Sequence, residues 1–456
     1  MSNVTTEQLR EQVRGEVIAP EDAGYEDARR VYNAMIDRRP RVVVRPANAG
    51  DVVAAVNFAR ENGLDLAIRG GGHSVPGFGT VDDGVVIDLS GMRGVRVDPA
   101  NRRARAEGGA TWGDFNAATH AFGLATTGGI ISTTGVGGLT LGGGIGYLAR
   151  GFGLSCDNLV SADIVTADGR FLVANERENQ DLFWAIRGGG GNFGVATRFL
   201  FQLHEVPTVV GGMLMLPATP QIIESFIAES EAAPEELSTI ANVMPAPPMP
   251  FVPAEHHGKL VIFALMCYAG QGLTQAGQQA LAPFRALATP IVDMVRPIPY
   301  PQIYPPDEEG YHPTAVARTM FMDHVDRGVA ETIVDRLQKS DAPMRVAQLR
   351  VLGGAAARVP ADATAYAHRK SRIMVNVAAF YTGPEDRPVR EEWVNDFAAA
   401  LNQGNDGVYV NFLADEGEER VRAAYPGATW DRLRAIKARY DPTNLFRLNQ
   451  NIPPAN

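Results

Sequence analysis

The chain has 456 residues, a formal net charge of −10, 45% hydrophobic residues and 21% charged residues. That length is too great for one comfortable core, so two domains are expected; no apolar run approaches the ~20 residues of a membrane span, and an acidic chain without a basic stripe excludes a nucleic-acid partner. Two cysteines give no disulfide framework and the start, MSNVTTEQLREQVRGEV, has no basic-then-apolar leader, so a cytoplasmic location is expected and the Asn3-Val4-Thr5 sequon carries no meaning.

In chain order, ANAGDVVAAVNFARENG from Ala47 to Gly63 reads as an amphipathic helix, with Val52, Val56 and Ala59 on one face and Gly63 as its stop. Leu64, Leu66 and Ile68 then alternate as a strand, the glycine loop RGGGHSVPGFG follows, and VVIDLS returns as another strand. Helix, strand, loop and strand make a small α+β unit whose loop backbone can approach a ligand closely. Arg102, Arg103 and Arg105 read as an exposed strand face. The next helix is expected from Thr111, capped with Asp114 three positions on, through Phe122.

The tract GGIISTTGVGGLTLGGGIGYLARGFG has too many glycines for an ordinary helix, each costing roughly 1 kcal/mol relative to alanine. Its apolar Ile130, Ile131, Val136, Leu139, Leu141 and Ile145 are foreign to a flexible linker, so something flat is expected to pack on its backbone. ADIVTADGRFLVAN reads as a hairpin closed by Asp168-Gly169 in a type I′ turn. RGGGGNFG matches a dinucleotide-binding spacing through Gly189, Gly191 and Gly194, but DLFWAIR before it reads as a helix and VATRFLFQL after it as a strand. A Rossmann loop needs the reverse order, so nicotinamide binding is not supported.

From Pro207 the composition turns proline-rich, and KLVIFALMCY, RVAQLRVLGG and RIMVNVAAFY alternate as strands. An antiparallel sheet is expected, one face covered by helices and the other free to hold substrate. WDRLRAIKARYDPTNLF reads as a helix ended by Pro442, after which the chain returns to the first domain. The expected division is 1–206, 207–415 and 416–456.

Two residues stand out chemically: His73 inside the first glycine loop, and Cys156 in GYLARGFGLSCDNL, flanked by polar Ser155, Asp157 and Asn158. A neutral imidazole can capture a flavin's electrophilic 8-methyl carbon and a thiolate can add at the neighbouring C6, so the pair points to a flavin held by two covalent bonds. Cys267, in an apolar run, reads as a packing residue. With RGGGHSVPGFG, GLSCDNL, RGGGGNFGVAT and RYDPTNLFRLNQNIPP in place, the chain resembles the berberine bridge enzyme-like FAD-linked oxidases of the vanillyl-alcohol oxidase superfamily, in their bicovalent branch.

The resemblance implies a PCMH-type FAD-binding domain of two α+β subdomains, a substrate domain and a C-terminal segment rejoining the first. It implies FAD bonded 8α-histidyl to His73 and 6-S-cysteinyl to Cys156. Together with the glycine loops, it marks Arg69, Gly70, Gly71, Gly72, Ser74, Gly77, Gly135, Gly138, Gly142, Gly194, Val195, Asn449 and Asn451 as cofactor contacts. The amides of Gly70 to Ser74 are suited to cradle a pyrophosphate.

Relatives carry a tyrosine-any-asparagine-tyrosine motif whose second tyrosine is the proposed base, whereas this chain has Tyr409-Val410-Asn411-Phe412. Phe412 cannot accept a proton. The catalytic candidates are therefore Tyr409, needing a nearby positive charge to ionise, Arg350 and Gln348 on one strand face to supply it, and Tyr147. His312, His324 and His368 read as ordinary histidines, with no spacing for a metal.

The expected activity is oxidation of an alcohol or amine carbon of a small sugar-like, aromatic or secondary-metabolite substrate, with molecular oxygen as acceptor. Leu159, bulkier than the valine linked in relatives to free oxygen access, keeps a dehydrogenase as the alternative. A silent metabolite-binding protein is the third reading. A monomer or homodimer is expected.

Overall fold

The computed structural model describes residues 5–270, 273–305 and 313–455; His312 and Asn3 of the sequon lie outside the described residues. Strands β1 (Glu16–Ile18), β2 (Val42–Arg45), β3 (Leu66–Arg69) and β4 (Val85–Asp88) form a sheet in the order β1-β2-β4-β3. β2, β4 and β3 run parallel because the chain crosses between β2 and β3 through the helix Ala49–Asn62. Asn48 starts that helix by accepting the N–H groups of Gly50 and Asp51, and Gly63 ends it in a left-handed conformation. Its Val52, Ala55, Val56 and Ala59 are buried with Val42, Val44, Val85 and Ile87 of the sheet.

A second sheet follows, with β5 (Val95–Asp98), β6 (Arg103–Glu107), β8 (Leu159–Val165), β9 (Phe171–Asn175) and β10 (Val195–Gln202) in the antiparallel order β5-β6-β10-β8-β9; β7 (Leu124–Ala125) pairs separately with β11 (His204–Glu205). The β8–β9 connection differs from the expected type I′ turn. Gly169 has φ +81°, but Asp168 is not left-handed, and Gly169 N–H bonds to Thr166 O while Thr166 N–H bonds to Arg170 O. This is a type I turn closed by a glycine bulge, and the Asp168 carboxylate holds it by accepting from Thr166 Oγ1 at 2.6 Å.

The Thr111–Asp114 capping box is present and opens the helix Trp112–His120. The helix stops short of the expected Phe122, which is 52% exposed, because Gly123 takes φ +66° and breaks the apolar face. The glycine-rich tract is not helix-free either: Val136–Leu141 and Ala149–Phe152 are short helices. The first packs closely because Gly137 abuts the Phe199 ring, where an added Cβ would meet Cε2 and Cζ at 3.3 Å. Helix Gln180–Ala185 precedes, and β10 follows, the run RGGGGNFG, the order that excludes a Rossmann loop.

The third sheet has eight strands. β12 (Thr208–Pro217), β13 (Leu237–Pro245), β14 (Leu260–Tyr268), β15 (Val292–Asp293), β17 (Ala315–Met322), β18 (Arg345–Val351) and β19 (Ile373–Phe380) lie in the order β15-β12-β14-β13-β18-β19-β17, and β16 (Arg296–Pro299) pairs with β12. One face, including Ala241, Val243, Ala347, Leu349, Val375 and Val377, is buried under helices Pro220–Ala232, Leu273–Ala286, Arg327–Lys339 and Arg387–Leu401. The opposite face meets the glycine-rich tract. The helix Ala428–Tyr440 then returns to the first half, where Trp430, Leu433, Ile436 and Tyr440 share a core with Trp112, Phe199 and Phe201. The architecture is α+β.

Candidate active site

The loop after β3 rises from the sheet end and doubles back through Gly72 and Gly77, both at positive φ. Gly71 lies so close to the segment 133–135 that a Cβ there would sit 2.3 Å from Gly135 N and 2.7 Å from Thr133 O. This contact brings His73 to Thr133, with Nε2 and Oγ1 2.9 Å apart, while Tyr32 stacks on the imidazole at 4.0 Å. His73 is half-buried. Ser74 is a turn residue, its Oγ accepting from Phe78 N–H at 3.2 Å. The Arg69 guanidinium is committed to Asp88 at 2.9 Å and to the carbonyls of Ala28 and Arg30, so it braces the loop from below.

Cys156 lies on the far side of the glycine-rich tract and has no exposed surface. Its N–H bonds to Gly143 O, and its side chain packs with Ile145, Tyr366, Met374 and Tyr409. Burial first, and the adjacent Asp157 carboxylate second, push the thiol above its ordinary range. Asp157 is itself held by a two-pronged pair from Arg369, both bonds 2.7 Å. Cys267 is likewise fully buried, as expected of a packing residue.

Three donors converge on the Tyr409 hydroxyl. Its oxygen accepts from Gly144 N–H and Ile145 N–H, each at 3.1 Å, and from Asn411 Nδ2 at 2.9 Å. Asn411 also donates to Leu139 O at 2.9 Å, so the motif is sewn to the glycine-rich tract at both ends. Burial raises the Tyr409 phenol, and the three donors and the Arg350 charge act against that rise. Arg350 comes from β18 with its guanidinium carbon 5.0 Å from the centre of the Phe412 ring, and its Nε donates to Gln348 at 2.9 Å. Burial lowers Arg350 to about 10.

The structure thus gathers Tyr409, Arg350, Gln348, Gly142 and Cys156 around one seam, with His73 and Gly135 at its other end. Tyr147 packs with Tyr300, Tyr304 and Cys267, and its hydroxyl has no partner among the described residues. Gly194 and Val195 stand apart where the first two sheets meet, Val195 pairing with Val165. Gly138 faces open space, and the Oδ1 atoms of Asn449 and Asn451 are buried without a partner among the described residues. Leu159 lies in the core with Phe199 and Phe201. His324 is exposed, and the buried His368 ring bonds to the carbonyls of Ala423 and Ala424.

Tyr32, Thr133, Tyr366 and the Asp157–Arg369 pair were missed from sequence, since no local pattern links residues from separate loops. Among the described residues no group of three metal-ligating side chains occurs, and no helix is long and apolar enough to cross a membrane.

These features fit a flavin dinucleotide. Two glycine segments meet with no room for a Cβ, and two orphaned asparagine oxygens stand ready for ring N–H donors. Comparison with known proteins agrees. Residues 40–175 match the family model described as FAD binding domain, and residues 408–453 match berberine and berberine like. An FAD-linked oxidoreductase of Dictyostelium discoideum is 32% identical over 93% of this chain and 91% of its own length. The (R)-6-hydroxynicotine oxidase of Paenarthrobacter nicotinovorans is 30% identical over 97% of both chains. The crystal structure of 6-hydroxy-D-nicotine oxidase from Arthrobacter nicotinovorans superposes with a TM-score of 0.85 at 27% identity, covering 97% of this chain and 98% of that one. The chain belongs to the berberine bridge enzyme-like FAD-linked oxidoreductases, and it is an oxidoreductase enzyme.

Proposed function

We propose that the protein oxidises an alcohol or amine carbon of a small molecule at the seam between the glycine-rich tract and the uncovered sheet face, with molecular oxygen as final acceptor. FAD, when bound, supplies the two-electron acceptor. The observation that carries the reading is the Tyr409 hydroxyl, an oxygen that receives three donors and lies within the field of Arg350. Burial raises the phenol, but the three donors and the Arg350 charge oppose that rise and stabilise the phenolate once it forms, so Tyr409 takes the substrate's proton. Phe412 leaves that task to the first tyrosine and supplies a ring under the guanidinium instead. Oxygen as acceptor rests on relatives named as oxidases, among them a xylooligosaccharide oxidase of Thermothelomyces thermophilus at 30% identity over 93% of this chain.

The two expected covalent tethers are unequal. His73 stands half-buried on a loop edge, whereas Cys156 is wholly buried and burial pushes its thiol up. We keep both bonds, 8α-histidyl to His73 and 6-S-cysteinyl to Cys156. Intact mass after acid precipitation tests this: wild type carries the added mass of FAD, His73→Ala and Cys156→Ala each retain it in a more labile form, and the double variant loses it. Complete loss of the adduct in His73→Ala alone would remove the sulfur tether. Anaerobic reduction followed by air tests the acceptor, and reoxidation over many minutes would exclude the oxidase.

A further inference from the structure

Of the side chains that β13, β18 and β19 turn toward the glycine-rich tract, Arg350 is the charged one. Its neighbours in register are neutral: Asn242 on β13 pairs with Gln348 on β18, which pairs with Asn376 on β19. Arg350 Nε donates to Gln348 Oε1 at 2.9 Å, Gln348 Nε2 donates to Asn242 Oδ1 at 2.7 Å, and Asn242 Nδ2 donates to Phe263 O at 3.0 Å. Every donor in this relay points the same way and the last acceptor is backbone, so the plane of the guanidinium is fixed from behind.

The front of the guanidinium is unmatched. Arg350 is 4% exposed, yet its two terminal nitrogens have neither a hydrogen-bond acceptor nor a carboxylate within ion-pair distance among the described residues. The Phe412 ring and the nearby Tyr409 phenol offset part of its charge, but a buried guanidinium with no carboxylate on its terminal nitrogens is costly unless something else pairs with them. Arg350 lines a cavity of about 30 Å³ shared with Arg150, Ser238, Ile145, Ala149, Ile240 and Leu352, and the Arg150 guanidinium is already committed to the carbonyls of Leu352 and Ala233. That space holds a group of two or three heavy atoms and is too tight for a sugar ring.

We infer that this cavity is an anion subsite in which the terminal nitrogens of Arg350 grip a carboxylate on the substrate. The planar fork of a guanidinium matches the two oxygens of a carboxylate, and the largely apolar walls strengthen the pair by limiting water. The same charge repels a cationic amine, so the inference narrows the proposed substrates to hydroxy acids and other carboxylate-bearing compounds. It rests on the oxidoreductase reading above.

The test uses purified holoenzyme with benzoate and benzamide as dead-end probes, which differ in charge and hardly in shape. Binding is read by thermal shift and by perturbation of the flavin absorbance, neither of which needs turnover. Wild type is expected to bind benzoate on the order of tenfold or more tightly than benzamide. The preference is expected to vanish in Arg350→Met and to persist in part in Arg350→Lys. Equal binding of the two probes by wild type, no binding of benzoate, or a preference that survives Arg350→Met would each overturn the subsite. The visible flavin spectrum of the same preparations reports separately on the cofactor, so a colourless wild type counts against the oxidoreductase reading and not against the subsite.

Discussion

Lys437 and Asp441 form an ion pair four residues apart at the end of the helix Ala428–Tyr440, 2.6 Å long and with neither side chain exposed. Lys437 Nζ also donates to Asn192 O at 2.7 Å and Phe446 O at 3.0 Å, and Asp441 accepts the N–H groups of Leu445 and Phe446, each at 2.8 Å. The pair pins residues 445–446, just ahead of Asn449 and Asn451, to the loop before β10. Replacing Lys437 with Met leaves a buried carboxylate holding two amide donors and no cation, and the expected cost is about 3–5 kcal/mol. The protein contains its own control. Asp335 and Lys339 have the same chemistry and spacing at 2.8 Å, but are 53% and 73% exposed. Asp335→Asn should cost only about 0.3–0.5 kcal/mol. Urea unfolding followed by flavin absorbance and tryptophan fluorescence measures both variants. A Lys437→Met midpoint within about 1 kcal/mol of wild type, or a cost no greater than that of Asp335→Asn, would refute the claim that burial sets the value of this pair.

Tyr409→Phe should retain FAD while lowering kcat by about 10²–10⁴-fold, as expected for loss of a general base; a fall below threefold removes Tyr409 from that role. Because burial holds the phenol above its ordinary value and the ionised form is the active one, kcat/KM should climb with pH from neutrality toward 10, and an acid optimum would contradict the assignment. In a Cys156→Ala background, Gly71→Ala should force the His73 loop off segment 133–135, and acid-precipitated protein from that double variant should be nearly colourless. Full flavin retention there would show that the close approach is dispensable.

Much of the scaffold is written locally. Asn48, Gly63 and the Thr111–Asp114 box set their helix ends through contacts within four residues, and alternating runs such as RIMVNVAAF reveal their strands. The Asp168-Gly169 turn shows where this stops, since the same dipeptide serves two turn types and the hydrogen bonds of Thr166 decide between them. The site is less legible because its partners are distant in sequence. Gly144 meets Tyr409 across 265 residues, Arg369 meets Asp157 across 212, and Gln348 meets Asn242 across 106. Residue type marked His73, Tyr409 and Arg350 as candidates, while the burial that separates Cys156 from His73 is a property of packing and has no signature in the motif GLSCDNL.

The shared core of the first half has a consequence for how the protein is made. Trp112, Phe115, Phe199 and Phe201 leave the ribosome early, but the Val408, Leu413, Trp430, Leu433 and Ile452 that complete their packing arrive only after the whole eight-stranded sheet has been synthesised. At about 5–20 residues per second, the interval is roughly twelve to fifty seconds. During it the nascent flavin half carries an uncovered aromatic surface, which is where a chaperone would bind and where a stalled or truncated chain would aggregate.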